Sequence, residues 1–318
     1  MFGQFLPPLE AGVFLKQQPS ATVIVCTRNR ATSLQCCLEH IARLDYSNFT
    51  VLVVDNGSTD ATAQVAREFG ADYIYVPQPG LSRARNAGAL HARTDIVAYI
   101  DDNAVPRQDW LAALACEFDD ARVMVVAGDY HLPGAAQVES TARKVVVDRD
   151  TPDWLPITAF GGVGSGSCMA FRHTVFNEWS GFDERFGRGS IIPTAEEHLA
   201  FLNLCALGYR CVYTPDAVVY HEYTVDPYET SVAYVLMLIR EMPELRGAFI
   251  RHLFRSMSQS SRPWRGHRRR LQVDEPPLTR VAKLRAALRG LGLFLRANQV
   301  PKASKPLLAQ PRVLEPQQ

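Results

Sequence analysis

Ile96-Val97-Ala98-Tyr99-Ile100-Asp101-Asp102-Asn103 opens with five residues suited to a buried strand and ends abruptly in two carboxylates and an amide. An apolar, β-rich run of this length is what a strand covered on both faces requires. Two adjacent carboxylates at its carboxyl end repel each other unless a cation sits between them. That end of a strand is also where open α/β sheets bind ligands. One reading is a divalent metal held by Asp101 and Asp102, with a phosphorylated ligand beside it. The other is a solvated turn, since Asp-Asp-Asn is good turn chemistry. The stretch alone leaves both open.

Working outward, residues 22–26 (Thr-Val-Ile-Val-Cys) read as a short buried strand that ends at Thr27-Arg28-Asn29-Arg30. Leu34, Leu38, Ile41 and Leu44 then recur at helical spacing. A second strand over 50–54 ends at Asp55-Asn56-Gly57-Ser58, and Thr59 or Asp60 can cap a helix that runs to Phe69 and stops at Gly70. Residues 73–76 make a third strand, and Gly80-Leu81-Ser82-Arg83-Ala84-Arg85-Asn86-Ala87-Gly88 opens the helix before the first-quoted strand. Strand and helix alternate with short connections, the pattern of a parallel, doubly wound sheet. In such a sheet the polar groups at 27–30, 55–58 and 101–103 share one crevice. No Gly-x-Gly-x-x-Gly follows the first strand and no Gly-Lys-Ser/Thr loop is present, which argues against a dinucleotide or a P-loop. Phosphate must be neutralised by the metal and by Arg83 or Arg85.

Beyond this half, 123–127 and 167–171 read as strands, and 211–214 and 217–220 as two short β segments. The run Gly161-Gly162-Val163-Gly164-Ser165-Gly166 either lets backbone approach a ligand or is a mobile connector. Glu196-Glu197-His198 opens a helix closed by Gly208. Its two acids either answer the helix dipole or supply a carboxylate base. His221, after the last β segment, is either structural or a ligand.

At 318 residues the chain suits one large domain, or one domain with an appendage. No apolar run approaches the ~18 residues that span a bilayer. The first 18 residues have no basic segment followed by an apolar one, so no secretory signal is expected. Seven cysteines without Cys-x-x-Cys spacing fit reduced thiols in a cytoplasmic protein. The net charge of +1 hides an asymmetry. Residues 1–239 carry 17 Lys and Arg against 28 Asp and Glu, net −11; residues 240–300 carry 14 against 4, net +10. Such a split suggests a catalytic or binding domain followed by a basic appendage with a polyanionic partner.

Taken in order, eight pieces resemble an inverting glycosyltransferase of family 2: Val-Ile-Val-Cys-Thr-Arg-Asn-Arg (23–30), Val-Val-Asp-Asn-Gly-Ser-Thr-Asp (53–60), Gly-Leu-Ser-Arg-Ala-Arg-Asn-Ala-Gly (80–88), Ile-Asp-Asp-Asn-Ala-Val-Pro (100–106), Gly-Ser-Cys-Met-Ala-Phe-Arg (166–172), Gly-Phe-Asp-Glu-Arg-Phe-Gly (181–187), Ala-Glu-Glu-His-Leu (195–199) and Tyr-Thr-Pro-Asp-Ala-Val-Val-Tyr-His (213–221). The resemblance implies an α/β fold, the Rossmann-like nucleotide-sugar-binding sheet of the A-type glycosyltransferase fold, over residues 20–228. It implies that Thr27, Arg28 and Asn29 line the nucleotide pocket, that Asp55 bonds the base, usually uracil or another pyrimidine, and that Arg83 or Arg85 contacts the base or diphosphate. Asp101 would face ribose and metal, Asp102 would bind the metal (Mn2+ or Mg2+), and His221 would complete the metal site or border the diphosphate. Glu197 would be the base, with Glu196 second. The sequence departs from the family twice: Glu197 stands where an aspartate is common, and Asn103 where many relatives carry a third acid. Two other readings of the acidic site are a nucleotidyltransferase and a non-catalytic nucleotide-sugar-binding protein.

After an N-terminal extension (1–19) and the catalytic part, residues 229–298 read as a basic helical appendage. One apolar helix face runs through Val232, Val235, Leu236, Ile239, Leu245, Phe249, Leu253 and Phe254, with Pro243 splitting it. Residues 256–276 form a basic linker, and a second helix places Val281, Leu284, Leu288, Leu291 and Leu295 on one face. The tail from Gln299 is Pro-rich and expected to be disordered. Two amphipathic helices around an arginine cluster suit the inner face of the cytoplasmic membrane, near a lipid-linked or other glycan acceptor. The alternative is that both helices pack on the catalytic domain or another subunit. Nucleic acid is not expected, since no recognised module accompanies the arginines.

Overall fold

In order along the chain, the first half is β1 (Ala21–Thr27), α1 (Ala31–Ile41), β2 (Phe49–Asp55), α2 (Thr62–Glu68), β3 (Asp72–Tyr75), α3 (Leu81–His91), β4 (Ile96–Asp101), β5 (Val105–Pro106) and α4 (Trp110–Ala115). The second is β6 (Val123–His131), β7 (Val145–Val147), α5 (Trp154–Ala159), β8 (Cys168–Arg172), α6 (Glu196–Ala206), β9 (Arg210–Tyr220), α7 (Tyr228–Glu241) and α8 (Arg280–Ala297). This computed structural model describes residues 18–133, 142–222, 227–251 and 279–303, with Lys305 and Leu307. The expected extension up to residue 17, Leu253, Phe254, the basic segment 256–276 and most of the tail lie outside the described residues.

β4 is buried from Ile96 to Ile100 because both faces of the sheet are covered. Ile96, Ala98 and Ile100 join one apolar cluster with Leu34 and Leu38 of α1 and Trp110 and Leu114 of α4. Val97 and Tyr99 point the other way, into a cluster with Ala84 of α3, Phe171, Trp179 and Phe201. The period-two alternation of a strand thus feeds two cores at once.

The sheet runs β3-β2-β1-β4-β8-β6-β9-β5, with β7 paired to β9 off this path. β3, β2, β1 and β4 are parallel in register, Cys26 lying opposite Asp101 and Thr27 opposite Asp55. Strand order reverses between β1 and β4, so the crevice opens where their carboxyl ends part. Beyond β4 the sheet is mixed, not wholly parallel: β8 is antiparallel to β4 and β6, and β5 to β9. Alternation of strands and helices carries no information on direction once the connection is long and irregular, as it is before β8. The two β segments expected over 211–220 are one continuous strand, β9, which follows β6 in parallel with register shifts.

The C-terminal helices are present, and their apolar faces differ. α7 buries Val232, Tyr234, Val235, Met237 and Leu238, and it shares an apolar cluster with Leu155, Phe186, Leu199 and Leu202. The helix ends at Glu241, and a 3-10 turn at Pro243–Leu245 marks the expected break. α8 packs on α7 through Ala286 and Gly290, while its expected apolar face, from Val281 to Leu295, points to solvent. The tail departs from expectation at Leu307, which is buried beside Trp179 and donates its N–H to Trp179 O at 2.9 Å. Proline-rich sequence disfavours helix and strand, but a single apolar side chain can still dock. No helix among the described residues is long and apolar enough to cross a membrane.

Candidate active site

The carboxyl ends of β1, β2 and β4 deliver the three polar groups to one rim. Thr27 Oγ1 donates to Asp102 Oδ2 at 2.8 Å, and Arg30 reaches Asp102 Oδ1 at 3.2 Å. Asp102 is buried with both oxygens engaged. Burial raises its pKa above the ordinary value, outweighing the Thr27 and Arg30 contacts that lower it.

Asp101 has a different setting, with its side chain 25% exposed. Burial alone would raise its pKa. The hydrogen bond from His221 and the charges of Arg85, His221 and Arg188 overcome this and hold it at about 2. Its Oδ2 lies 3.4 Å from His221 Nε2, which is also 3.1 Å from Asn103 Oδ1. Among the described residues no group of three or more His, Cys, Asp and Glu side chains is set out as a metal cage. The donor set is an amide, a carboxylate and an imidazole: Asn103, Asp101 and His221. Oxygen and imidazole donors suit Mg2+ or Mn2+, which need few protein ligands when substrate phosphates supply the rest. Asp102, the other expected metal ligand, accepts from Thr27 and Arg30.

The glutamate pair at the start of α6 splits in the same way. Ala195 before it has φ of 68°, a left-handed conformation that alanine rarely adopts, and the helix starts abruptly behind it. Glu196 is buried, and its Oε1 accepts from Arg85 at 2.7 Å. Arg85 is buried as well. It donates to Gly166 O at 3.0 Å, sits 3.6 Å from Asp101 Oδ1, and lies 5.5 Å from the Phe182 ring centre. Arg85 therefore brackets α3, β4 and α6 from inside. A Cβ at position 166 would sit 2.8 Å from its guanidinium, so glycine there makes room for the bracket and not only for a ligand. Glu197, its side chain 16% exposed against 8% for Glu196, lies 3.8 Å from His198 Nε2.

The remaining expected nucleotide residues are brought to the rim with varied freedom. Arg28 is exposed. Asn29, at φ of 53°, accepts from Thr59 N–H at 2.8 Å and donates its own N–H to Ser58, locking the β1 and β2 loops together. Asp55 is buried, accepting from Ser58 N–H at 2.7 Å and Tyr73 O–H at 2.8 Å. Arg83 pairs with Glu184 at 2.8 Å on the surface.

Four residues enter that the sequence reading did not single out as site residues. Asn103 meets His221, Arg30 braces Asp102, and Arg188 acts on Asp101 by its charge. Tyr234 of α7 is buried with a hydroxyl that has no hydrogen-bond partner among the described residues. Burial first, and then the charge of Glu197, push that hydroxyl well above its ordinary pKa. Arg188 had a faint signal, standing between two glycines in a turn; Tyr234, 37 residues after Glu197 on another helix, had none.

Residues 22–179 match the family described as Glycosyl transferase family 2. The glycosyltransferase AglE of Haloferax volcanii is 34% identical over 119 residues, which are 35% of this chain and 39% of that protein. The chain spans between 16% and 55% of the length of the first three curated relatives it matches. Among solved structures, the mannosyltransferase PcManGT of Pyrobaculum calidifontis, in complex with GDP-Man and Mn2+, superposes with a TM-score of 0.56 at 19% identity, covering 92% of this chain and 79% of that one. Residues 1–349 of S. aureus TarS, in complex with UDP-GlcNAc, give 0.58 at 18% identity, covering 87% and 81%. These two share the fold.

Proposed function

The chain belongs to the family 2 glycosyltransferases through residues 22–179, and from that premise we propose that it moves a sugar from a nucleoside-diphosphate sugar to an acceptor hydroxyl by one in-line displacement, with inversion at the anomeric carbon. The observation that carries this reading is the contrast between the two glutamates at the head of α6. Glu196 is neutralised by Arg85, while Glu197 keeps a partly exposed carboxylate near the crevice. Direct displacement needs one carboxylate that the acceptor can reach: it removes the acceptor's proton as the new bond forms, an effect of ~10²–10⁴-fold. No covalent intermediate is required, so one displacement inverts the centre.

Thr27, Arg28 and Asn29 line the donor's nucleotide in this reading. Asp55 takes an N–H of the base on the lone pairs that Ser58 and Tyr73 leave over, and a pyrimidine is the expected base. Arg28, exposed at the end of β1, and Arg188, whose charge acts on Asp101, are cations for the diphosphate. Arg83 and Arg85 contribute from behind, through Glu184 and Glu196. A divalent cation, Mg2+ or Mn2+, would be held by Asp101, Asn103 and His221 and, when bound, supplies charge stabilisation to the leaving diphosphate. Asp102 keeps β1 and β4 in register beneath that position through Thr27. The acceptor is a glycan or lipid-linked glycan met on the cytoplasmic side.

A thermal-shift series of nucleoside diphosphates and nucleotide sugars, with and without Mn2+, tests the donor site. Ligands that bind only the folded protein raise its melting temperature by mass action. The expected result is a metal-dependent rise with one nucleoside diphosphate. No rise with any of them in the presence of Mn2+ would remove the support for the site at Asp55, Asp101 and Asn103.

A further inference from the structure

α8 is a basic helix that shows its large apolar residues to water. Val281, Leu284, Leu288, Leu291 and Leu295 are 60%, 58%, 63%, 42% and 53% exposed. Their spacing puts all five on one stripe, about 21 Å long at 1.5 Å per residue. The stripe is not a helix left loose. Its opposite side is fitted to α7, where a Cβ on Gly290 would lie 2.6 Å from Glu229 O and 2.8 Å from Val232 Cβ. Arg289 adds an ion pair to Glu229 at 3.3 Å. The small residues Ala286, Gly290 and Ala297 thus set the rotation of α8, and that rotation turns the leucines outward. A contiguous apolar stripe of this size on a rigid helix marks a surface with a partner.

The charge of the helix selects the partner. α8 contains five Lys and Arg and no acid. Arg285, Arg289 and Arg296, at spacings of four and seven, form a row along one edge of the stripe. The sequence leading into it, residues 255–270, adds six arginines. Two copies facing each other through this stripe would oppose their positive rows, and α8 carries no acid to answer Arg285 and Arg296. An anionic bilayer surface accepts both features, taking leucines at the acyl boundary and arginines at the headgroups. We infer that the outward stripe of α8 is a docking face for an anionic lipid surface, on which the helix lies in the plane of the interface. The inference is independent of the chemistry of the crevice.

Flotation of the full chain with vesicles of phosphatidylcholine alone, or of phosphatidylcholine mixed with phosphatidylglycerol, tests it. The expected result is flotation with the anionic vesicles, lost with plain phosphatidylcholine. Leu284→Ser, Leu288→Ser and Leu291→Ser together abolish it while the melting temperature stays unchanged, because these side chains touch solvent. Arg285→Gln with Arg296→Gln lowers partitioning by about tenfold or more and steepens no other property. The inference fails if the full chain stays in solution with anionic vesicles, or if the serine variant floats as the parent does. It fails equally if, without lipid, the chain dimerises through this stripe and the serine variant is a monomer, because the occupant is then a second copy.

Discussion

Arg85 lies buried between Phe182 and the crevice, with N–H groups on Glu196 and Gly166, and this makes the two neighbouring glutamates separable by experiment. Glu196→Ala leaves a guanidinium buried without its main counter-charge. Breaking a buried pair from one side costs about 3–5 kcal/mol, so this variant should melt far lower or fail to fold. Glu197→Gln keeps shape and removes only the proton acceptor. It should melt like the parent and lose ~10²–10⁴-fold in kcat with donor binding retained. Thermal melting beside single-substrate kinetics distinguishes the two, and a Glu197→Gln enzyme with full turnover would end its assignment as base. Much at this scale was legible in the sequence. Carboxylates at a strand end and at a helix start are local signals, and they bring Asp101 and Glu197 forward as candidates. Which of two adjacent acids Arg85 would engage was not legible, because Arg85 and Glu196 are 111 residues apart and only the topology joins them. For the same reason the contact of Asn103 with His221, 3.1 Å apart across 118 residues, was not legible.

Among the elements, α3 and β8 are tied by a histidine whose titration should be visible. His173 Nε2 donates to Ala89 O at 3.0 Å, and burial lowers its pKa below the ordinary 6.5 despite that bond. Arg93 lowers it further, and Asp95 acts in the opposite direction. The folded state therefore resists the proton more than the unfolded chain does. Stability is full above 6.5 and declines as pH falls from there through the depressed folded value. His173→Gln keeps a donor that does not titrate, so its melting temperature should fall less between pH 7 and pH 5 than the parent's. Equal slopes would contradict this. α8 offers a second contrast. Gly292 has nothing within 4 Å of a Cβ, whereas Gly290 has the backbone of Glu229. Gly292→Ala should stabilise by roughly 1 kcal/mol through helix propensity alone, and Gly290→Ala should destabilise as α8 is pushed from α7. If both raise the melting temperature, the close packing of the two helices is not real. Periodicity foretold that α8 is helical and amphipathic. It could not say which side faces the body, because α8 has a second, small-residue face, and against the ridged surface of α7 the small side chains pack more closely.

Across the whole molecule, the question is where the catalytic body ends. The expected domain stops at 228, where the helical appendage starts, and the charge changes sign a little further on, at about residue 240. Charge is a property of surfaces, however, and the border of a core is set by apolar contacts. The cluster that holds Leu199 and Leu202, on the helix that carries Glu197, also holds Tyr234, Val235, Met237 and Leu238 of α7. At about 1.5–3 kcal/mol for each large side chain, these four together match the ~5–15 kcal/mol that keeps a whole domain folded. The electrostatic seams run the same way. Arg185 meets Glu241 at 2.6 Å and Lys302 meets it at 3.0 Å, joining both ends of the supposed appendage to the turn after Phe182. A chain ended at residue 228 would expose Phe186, Leu199 and Leu202 and remove the tyrosine whose hydroxyl lies within the field of Glu197. The truncated protein should therefore aggregate or melt far below the parent, and the full chain should unfold α7 together with the sheet in one transition. Following far-ultraviolet dichroism and tryptophan fluorescence through the same melt checks this. Coincident curves are expected for the full chain. A soluble 1–228 fragment with the parent's melting temperature would instead make α7 a passenger, and would return the border of the catalytic body to residue 228.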